Sequence, residues 1–209
     1  SPQLAAAVAE VDTNIGRLLD AIAEADLPGE VYVLVVSDHG QANYVDPETT
    51  FVLGDHIDLT GLEVTAGGAY AWIYQQQPDR ERALAIRDAI NDAWAHGHAV
   101  LRDEAPAEWR IDDSPRFPEI FVVPDLGYGV VAEREAVQRL KKSDHGWDPS
   151  NRAMHGIFLA AGPGLPEGET IGEVSAGEID PLMLELLQID APLPAADRDR
   201  LRSVMLRAR

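Results

Sequence analysis

A chain of 209 residues with 45% hydrophobic and 25% charged content has the make-up of a folded domain, not of a disordered or fibrous polymer. Thirty-six acidic residues against seventeen Lys+Arg give a formal charge of -19, which leaves no basic surplus for non-specific nucleic-acid binding but is compatible with a phosphate held by metal ions. The absence of cysteine excludes disulfides, thiolate catalysis and Cys-ligated metals, and leaves the compartment undecided.

Ser1 and Pro2 have the chemistry of an N-cap and a first helical residue. Leu4, Val8, Val11, Ile15, Leu18, Leu19 and Ile22 recur at helical spacing, so a first helix carries an apolar stripe and ends at Leu27-Pro28-Gly29. Val31 to Val36 follows without alternation, the pattern of a strand covered on both faces. An α/β domain is the reading that this pair suggests. Phe51 to Leu53, Leu62 to Thr65 and Ala69 to Tyr74 read as further strands, the last with Tyr70, Trp72 and Tyr74 on one face.

A second helix is predicted over Pro78 to Ala95, stopping before Gly97, and short strands at Val100-Leu101 and Ile120 to Val123. Glu133 to Lys142 reads as a short helix, Gly156 to Ala161 as a buried strand and Glu178 to Ile189 as a closing helix. An arginine-rich tail follows Pro194. The organisation expected is a core α/β segment over 1–53, a smaller α+β insert over 54–129, and a return to the core with the last helix over 130–209. No run approaches the ~20 apolar residues of a membrane helix. The opening segment also lacks the basic start and apolar core of a signal peptide, which says little about export.

Asp38 and His39 stand where strand side chains emerge beyond a sheet, the place where ligands gather in open α/β folds. A carboxylate and an imidazole are good ligands for zinc and related ions. The bland alternative is that Asp38 caps the next segment and His39 is a spacer. His155 stands just before an apolar run, as Asp38-His39 stands just after one, so antiparallel strands would bring the three together. Asp144, His145, Asp148 and Asn151 crowd one loop whose SDHGW copies the earlier SDHG. That loop reads equally as a second metal site or as a self-organised turn with Trp147 packed beneath. Ser37 has no GxSxG context, and burial in a strand would hide its hydroxyl. His56, His96 and His98 read as structural or surface residues.

Taken together, VYVLVVSDHG, SPRFPEIFVVPDLGYGV, DHGWDPSNRAMHGIFLAAGPGL and EIDPLMLELLQI resemble the type I phosphodiesterase/nucleotide pyrophosphatase family of the alkaline-phosphatase superfamily. The resemblance runs from the first helix to about Ile189. It implies an alkaline-phosphatase-like central sheet flanked by helices, present here as a partial domain with a small α+β insert. It also implies a two-zinc centre in the intact enzyme, with Asp38 and His39 on one metal and His155 on the other. His145 and Asp148 are then expected at the rim of the site. Gln41 stands where the family commonly has Met, and Gly156 where it commonly has Pro.

The family's Thr or Ser nucleophile, an earlier metal-binding Asp and an Asp…His pair have no counterpart in this sequence. The resemblance therefore implies that the chain is a carboxyl-terminal portion, inactive alone, whose partners are the missing amino-terminal portion and a phosphate ester such as a nucleotide derivative. A periplasmic or secreted setting is what the resemblance favours. Two alternatives stand: a phosphonate or phosphomonoester hydrolase of the same superfamily, and an inactive binding or structural remnant.

Overall fold

The computed structural model describes residues 1–111 and 114–190, so the arginine-rich tail lies outside the described residues. In chain order the elements are helix α1 (Pro2–Glu24), strands β1 (Val33–Val36), β2 (Ala42–Asn43), β3 (Phe51–Val52), β4 (Leu62–Ala66) and β5 (Ala71–Gln75), then helix α2 (Arg80–Ala93). Strands β6 (Gly97–Leu101), β7 (Ile120–Pro124), β8 (Val130–Val131), β9 (Ser143–Asp144) and β10 (Phe158–Ala161) follow, and then helix α3 (Ala176–Leu186). The chain divides into two compact units, one holding Ser1–Val36 with the described residues from Phe158, the other Ser37–Ile157. Among the described residues no helix is long and apolar enough to cross a membrane.

In the first unit α1 starts as its sequence demands: Ser1 Oγ accepts the Leu4 amide at 3.2 Å and Pro2 opens the helix. Its apolar stripe is present, yet none of its residues is buried, and Leu4 is 64% exposed. β1 pairs antiparallel with β10, from Val33 opposite Ala161 to Val36 opposite Phe158. One face of this ribbon, with Leu34, Phe158 and Ala160, packs with Tyr32 against Leu165, Leu182 and Leu186. Leu159 on the other face is 61% exposed. The expectation that β1 is covered on both faces is met only in part, since Val33, Leu34 and Val35 are half-buried and Val36 is exposed. α3 begins two residues before the predicted Glu178, whose carboxylate turns back to accept the Ser175 amide at 2.7 Å.

The second unit is built on a four-stranded antiparallel sheet in the order β4-β5-β7-β6. α2 lies against it, burying Ala83, Ile86 and Ile90 with Ile73, Leu101, Ile120 and Val122. Fully burying one such aliphatic side chain is worth roughly 1.5–3 kcal/mol, so this face is the main source of the unit's stability. Asp79 caps α2 by accepting the amides of Glu81 and Arg82, which places the helix start after the predicted Pro78. The alternation read in β5 is present: Ala71, Ile73 and Gln75 are buried, while Trp72 and Tyr74 are partly exposed. Tyr74 spends its hydroxyl on the Arg116 carbonyl and Trp72 leans on Tyr70 and Phe121, so both serve packing. The short helix expected over Glu133 to Lys142 is instead a 3-10 helix, Arg134–Arg139, in which no residue is buried. Without a buried face, nothing holds this stretch to the α-helical repeat.

Candidate metal centre

Three segments of the second unit meet around Asp38 and His39. The Ser37 amide donates to the Ile157 carbonyl at 3.2 Å. The Ile157 amide returns a 2.8 Å bond to Ser37 Oγ. Ser37 is exposed, so its hydroxyl is occupied by this stitch and not hidden by burial as the sequence suggested. The Gly40 amide donates to the Met154 carbonyl at 2.8 Å. A Cβ on Gly40 would stand 2.1 Å from the Ala153 carbonyl oxygen, so only glycine permits this approach.

The third segment arrives through β2 and β9, which pair antiparallel with Ala42 opposite Asp144 and Asn43 opposite Ser143. This pairing brings the two SDHG turns face to face. The imidazoles of His39 and His145 stack, with ring centroids 3.6 Å apart and planes inclined by 15°. In each turn the aspartate Oδ1 accepts the amide of the following histidine at 3.0 Å. Beneath the turns lies a small apolar platform of Tyr44, Ala69, Trp147 and Met154. Trp147 packs edge-on against Tyr44 and donates its indole N–H to the Tyr128 carbonyl at 2.8 Å. Burial first, and the Asp144 carboxylate second, push the Tyr44 phenol well above its ordinary range, so it stays a donor through neutral pH.

The donor atoms are arranged in a particular way. His39 Nδ1 lies 2.7 Å from the Gly40 carbonyl oxygen, which can only accept, so this nitrogen carries a proton. His39 Nε2 then faces Asp38 Oδ2 at 3.2 Å. With a neutral ring, two acceptors oppose each other there, and a proton or a metal ion between them relieves the conflict. A backbone carbonyl on the far nitrogen is also the usual way in which a ligating imidazole is oriented. The chemistry of this pair fits a divalent ion. The number of donors does not close a sphere: among the described residues no three His, Asp or Glu side chains converge to hold an ion.

His155 takes a different position from His145. Its Nε2 lies 3.2 Å from the Pro149 carbonyl oxygen, across its own loop. Asp148 organises that loop, accepting the Ser150 amide on Oδ1 at 2.8 Å and the Asn151 amide on its backbone carbonyl at 3.0 Å. His56 stacks on Phe51 and His96 on Tyr128, in keeping with structural roles. What the sequence reading missed is the His39–His145 pair, and the available signal was the repetition of SDHG itself.

The model for the type I phosphodiesterase/nucleotide pyrophosphatase family matches residues 1–148. The chain belongs to this family. It is 26% identical to human ectonucleotide pyrophosphatase/phosphodiesterase family member 7 over 214 residues, covering 98% of this chain and 44% of that protein. It is 24% identical to a bis(5'-adenosyl)-triphosphatase of Xenopus laevis over 180 residues, covering 86% of this chain and 38% of that protein. The structure of human ectonucleotide pyrophosphatase/phosphodiesterase 5 superposes with a TM-score of 0.83 at 21% identity, over 98% of this chain and 53% of that one. That likeness establishes the alkaline-phosphatase-like α/β fold expected from the sequence. An inactive variant of the murine counterpart, solved in complex with AMP, gives a TM-score of 0.82 at 23% identity. The chain spans about half the length, or less, of these relatives.

Both departures from the family pattern have a structural meaning here. Gln41 Nε2 donates to Ser143 Oγ at 2.8 Å, tying one SDHG turn to the other. Gly156 lies where a Cβ would approach Ser37 Oγ to 2.5 Å, so its lack of a side chain permits the stitch between Ser37 and Ile157.

Proposed function

We propose that this chain supplies part of the metal-binding centre of a hydrolase that cleaves phosphodiester or nucleotide pyrophosphate bonds. The observation that carries the reading is the opposition of Asp38 Oδ2 and His39 Nε2 beside a second, stacked imidazole. Asp38 and His39 hold one ion, zinc being the one that suits a carboxylate–imidazole set. For a second ion the chain offers His145 and His155, and the stacking of His145 on His39 favours the former. Bound divalent ions supply positive charge for the phosphoryl oxygens and lower the pKa of a hydroxyl nucleophile. The chain's own residues position this chemistry: the Gly40 carbonyl orients the His39 ring, and Trp147 fixes the loop that bears His145.

The Thr or Ser nucleophile and the remaining donors belong, in this proposal, to polypeptide outside the 209 residues. The extent of the relatives, each about twice the length of the matched region or more, supports it. A nucleotide derivative as substrate agrees with the AMP bound by the murine relative and with the names of the others. An extracytoplasmic setting agrees with the "ectonucleotide" names of the relatives. For the chain by itself, the lack of a three-donor cluster among the described residues favours a second reading, an inactive remnant that binds metal weakly or not at all.

Zinc titration by calorimetry separates these readings. Asp38→Ala and His39→Ala are each expected to weaken zinc binding by about 100-fold or more, at or beyond the upper end of what an outer partner of a ligand is worth. His145→Ala is expected to remove a second bound ion that His155→Ala leaves in place; the opposite result would transfer the role to His155. Identical isotherms for all four variants and the parent chain would leave the remnant reading standing.

A further inference from the structure

The two SDHG tetrapeptides are identical in sequence, yet the structure uses their carboxylates differently. In the first, Asp38 is open to solvent and its Oδ2 faces the neighbouring imidazole nitrogen. In the second, Asp144 Oδ2 lies 3.3 Å from the Tyr44 hydroxyl, which donates to it, while Oδ1 takes the His145 amide. Both oxygens of Asp144 are therefore engaged, one by a side chain of the facing segment and one by the histidine that stacks on His39. Asp38 Oδ1 takes the His39 amide in the same way, so the Tyr44 phenol on Asp144 Oδ2 is what sets the two carboxylates apart.

The Tyr44 hydroxyl passes close to the backbone at Gly68. A Cβ on Gly68 would stand 2.1 Å from that oxygen, and φ of +86° at Gly68 is itself a conformation that glycine alone adopts easily. Trp147 closes the ring from another side, with centroids 5.2 Å apart. The phenol is buried and its hydroxyl is directed at one carboxylate oxygen. We propose that Tyr44 is a positioning residue: by holding Asp144 Oδ2 it withdraws that carboxylate from the ion site and sets the His145 ring on His39. The difference between a turn that offers a carboxylate and one that offers only an imidazole then resides in a residue outside both tetrapeptides. This inference rests on the reading of the two turns as a metal centre, and its first test is independent of metal.

In the metal-free chain, proton NMR of the imidazole resonances reports the stack directly, because each ring lies in the shielding cone of the other. Tyr44→Phe keeps the ring against Trp147 and removes only the hydroxyl. It is expected to cut the mutual ring-current shifts of His39 and His145 by roughly half or more, as the stacked geometry relaxes. Asp144→Ala is expected to do the same, while Asp144→Asn, which still offers an oxygen to the His145 amide and a polar group to the phenol, preserves the shifts. In zinc titrations Tyr44→Phe is expected to weaken binding by about 10-fold, the lower range for an outer partner of a ligand. Unchanged imidazole shifts in both Tyr44→Phe and Asp144→Ala would overturn the proposal, as would their loss in Asp144→Asn. A chain that binds no zinc yet shows the expected shift changes would retain Tyr44 as the positioning residue and sink the metal reading alone.

Discussion

Replacement of Trp147 by alanine is expected to destabilise the second unit by about 3–5 kcal/mol, the range for truncating a buried aromatic side chain to a methyl. The indole is 2% exposed and is among the largest fully buried side chains of the chain. Its loss would open a cavity among Tyr44, Ala69 and Met154, which pack around it. It would also leave the Tyr128 carbonyl without the indole donor. Trp147→Phe separates the two effects: most of the ring stays, the donor goes, and the expected cost is about 1–2 kcal/mol. Urea unfolding followed by the remaining aromatic residues measures both. A change within about 0.5 kcal/mol for Trp147→Ala would mean that the platform does not bear the loop.

The second large effect is expected at Gly40. A methyl there meets two carbonyl oxygens, Ala153 at 2.1 Å and His155 at 2.8 Å, and both are backbone atoms that no rotamer change can move. Gly40→Ala must separate the first SDHG turn from the Ala153–Ile157 segment and break the Gly40–Met154 hydrogen bond. The expected cost is about 3 kcal/mol, the upper end for overpacking, or roughly 6–12 °C in the melting temperature of a domain this size. Zinc binding should fall in parallel, because the Gly40 carbonyl that orients His39 moves with the backbone. Gly16→Ala is the matched control. It lies within α1 with nothing in reach of the new methyl, and is expected to gain about 0.5–1 kcal/mol from helix propensity. Equal melting temperatures for the two variants would refute the close approach at Gly40.

Much of this arrangement can be read from the chain. Elements with a long, regular pattern, such as α1, α2 and β5, are legible because burial imposes a period that many residues share. The meeting of Asp38-His39 with the segment before β10 is legible too, since two apolar runs with polar residues at opposite ends imply antiparallel neighbours. β2 and β9 are not: two residues each, they carry no period, and their pairing spans about a hundred positions. The stack of His39 on His145 depends on that pairing, so the sequence could offer only the repeated tetrapeptide as a hint. Ser37 shows the same limit at shorter range. Whether its hydroxyl is buried or stitched depends on where β1 stops, and strand ends are set by partners and not by the strand's own residues.

The β1–β10 ribbon has a consequence for how the protein behaves as a material. Among the described residues neither strand has a second neighbour, so in these 209 residues taken by themselves each presents an open row of amides and carbonyls beside apolar side chains such as Leu159 and Val36. Such an edge is a template for accretion, and the charge of -19 opposes the approach of one copy of these residues to another. Added salt shortens the reach of that repulsion to about 3 Å at 1 M while leaving the sticky edge intact. Solubility should therefore fall as ionic strength rises, the reverse of salting-in, and storage at low salt is the condition that the ribbon dictates.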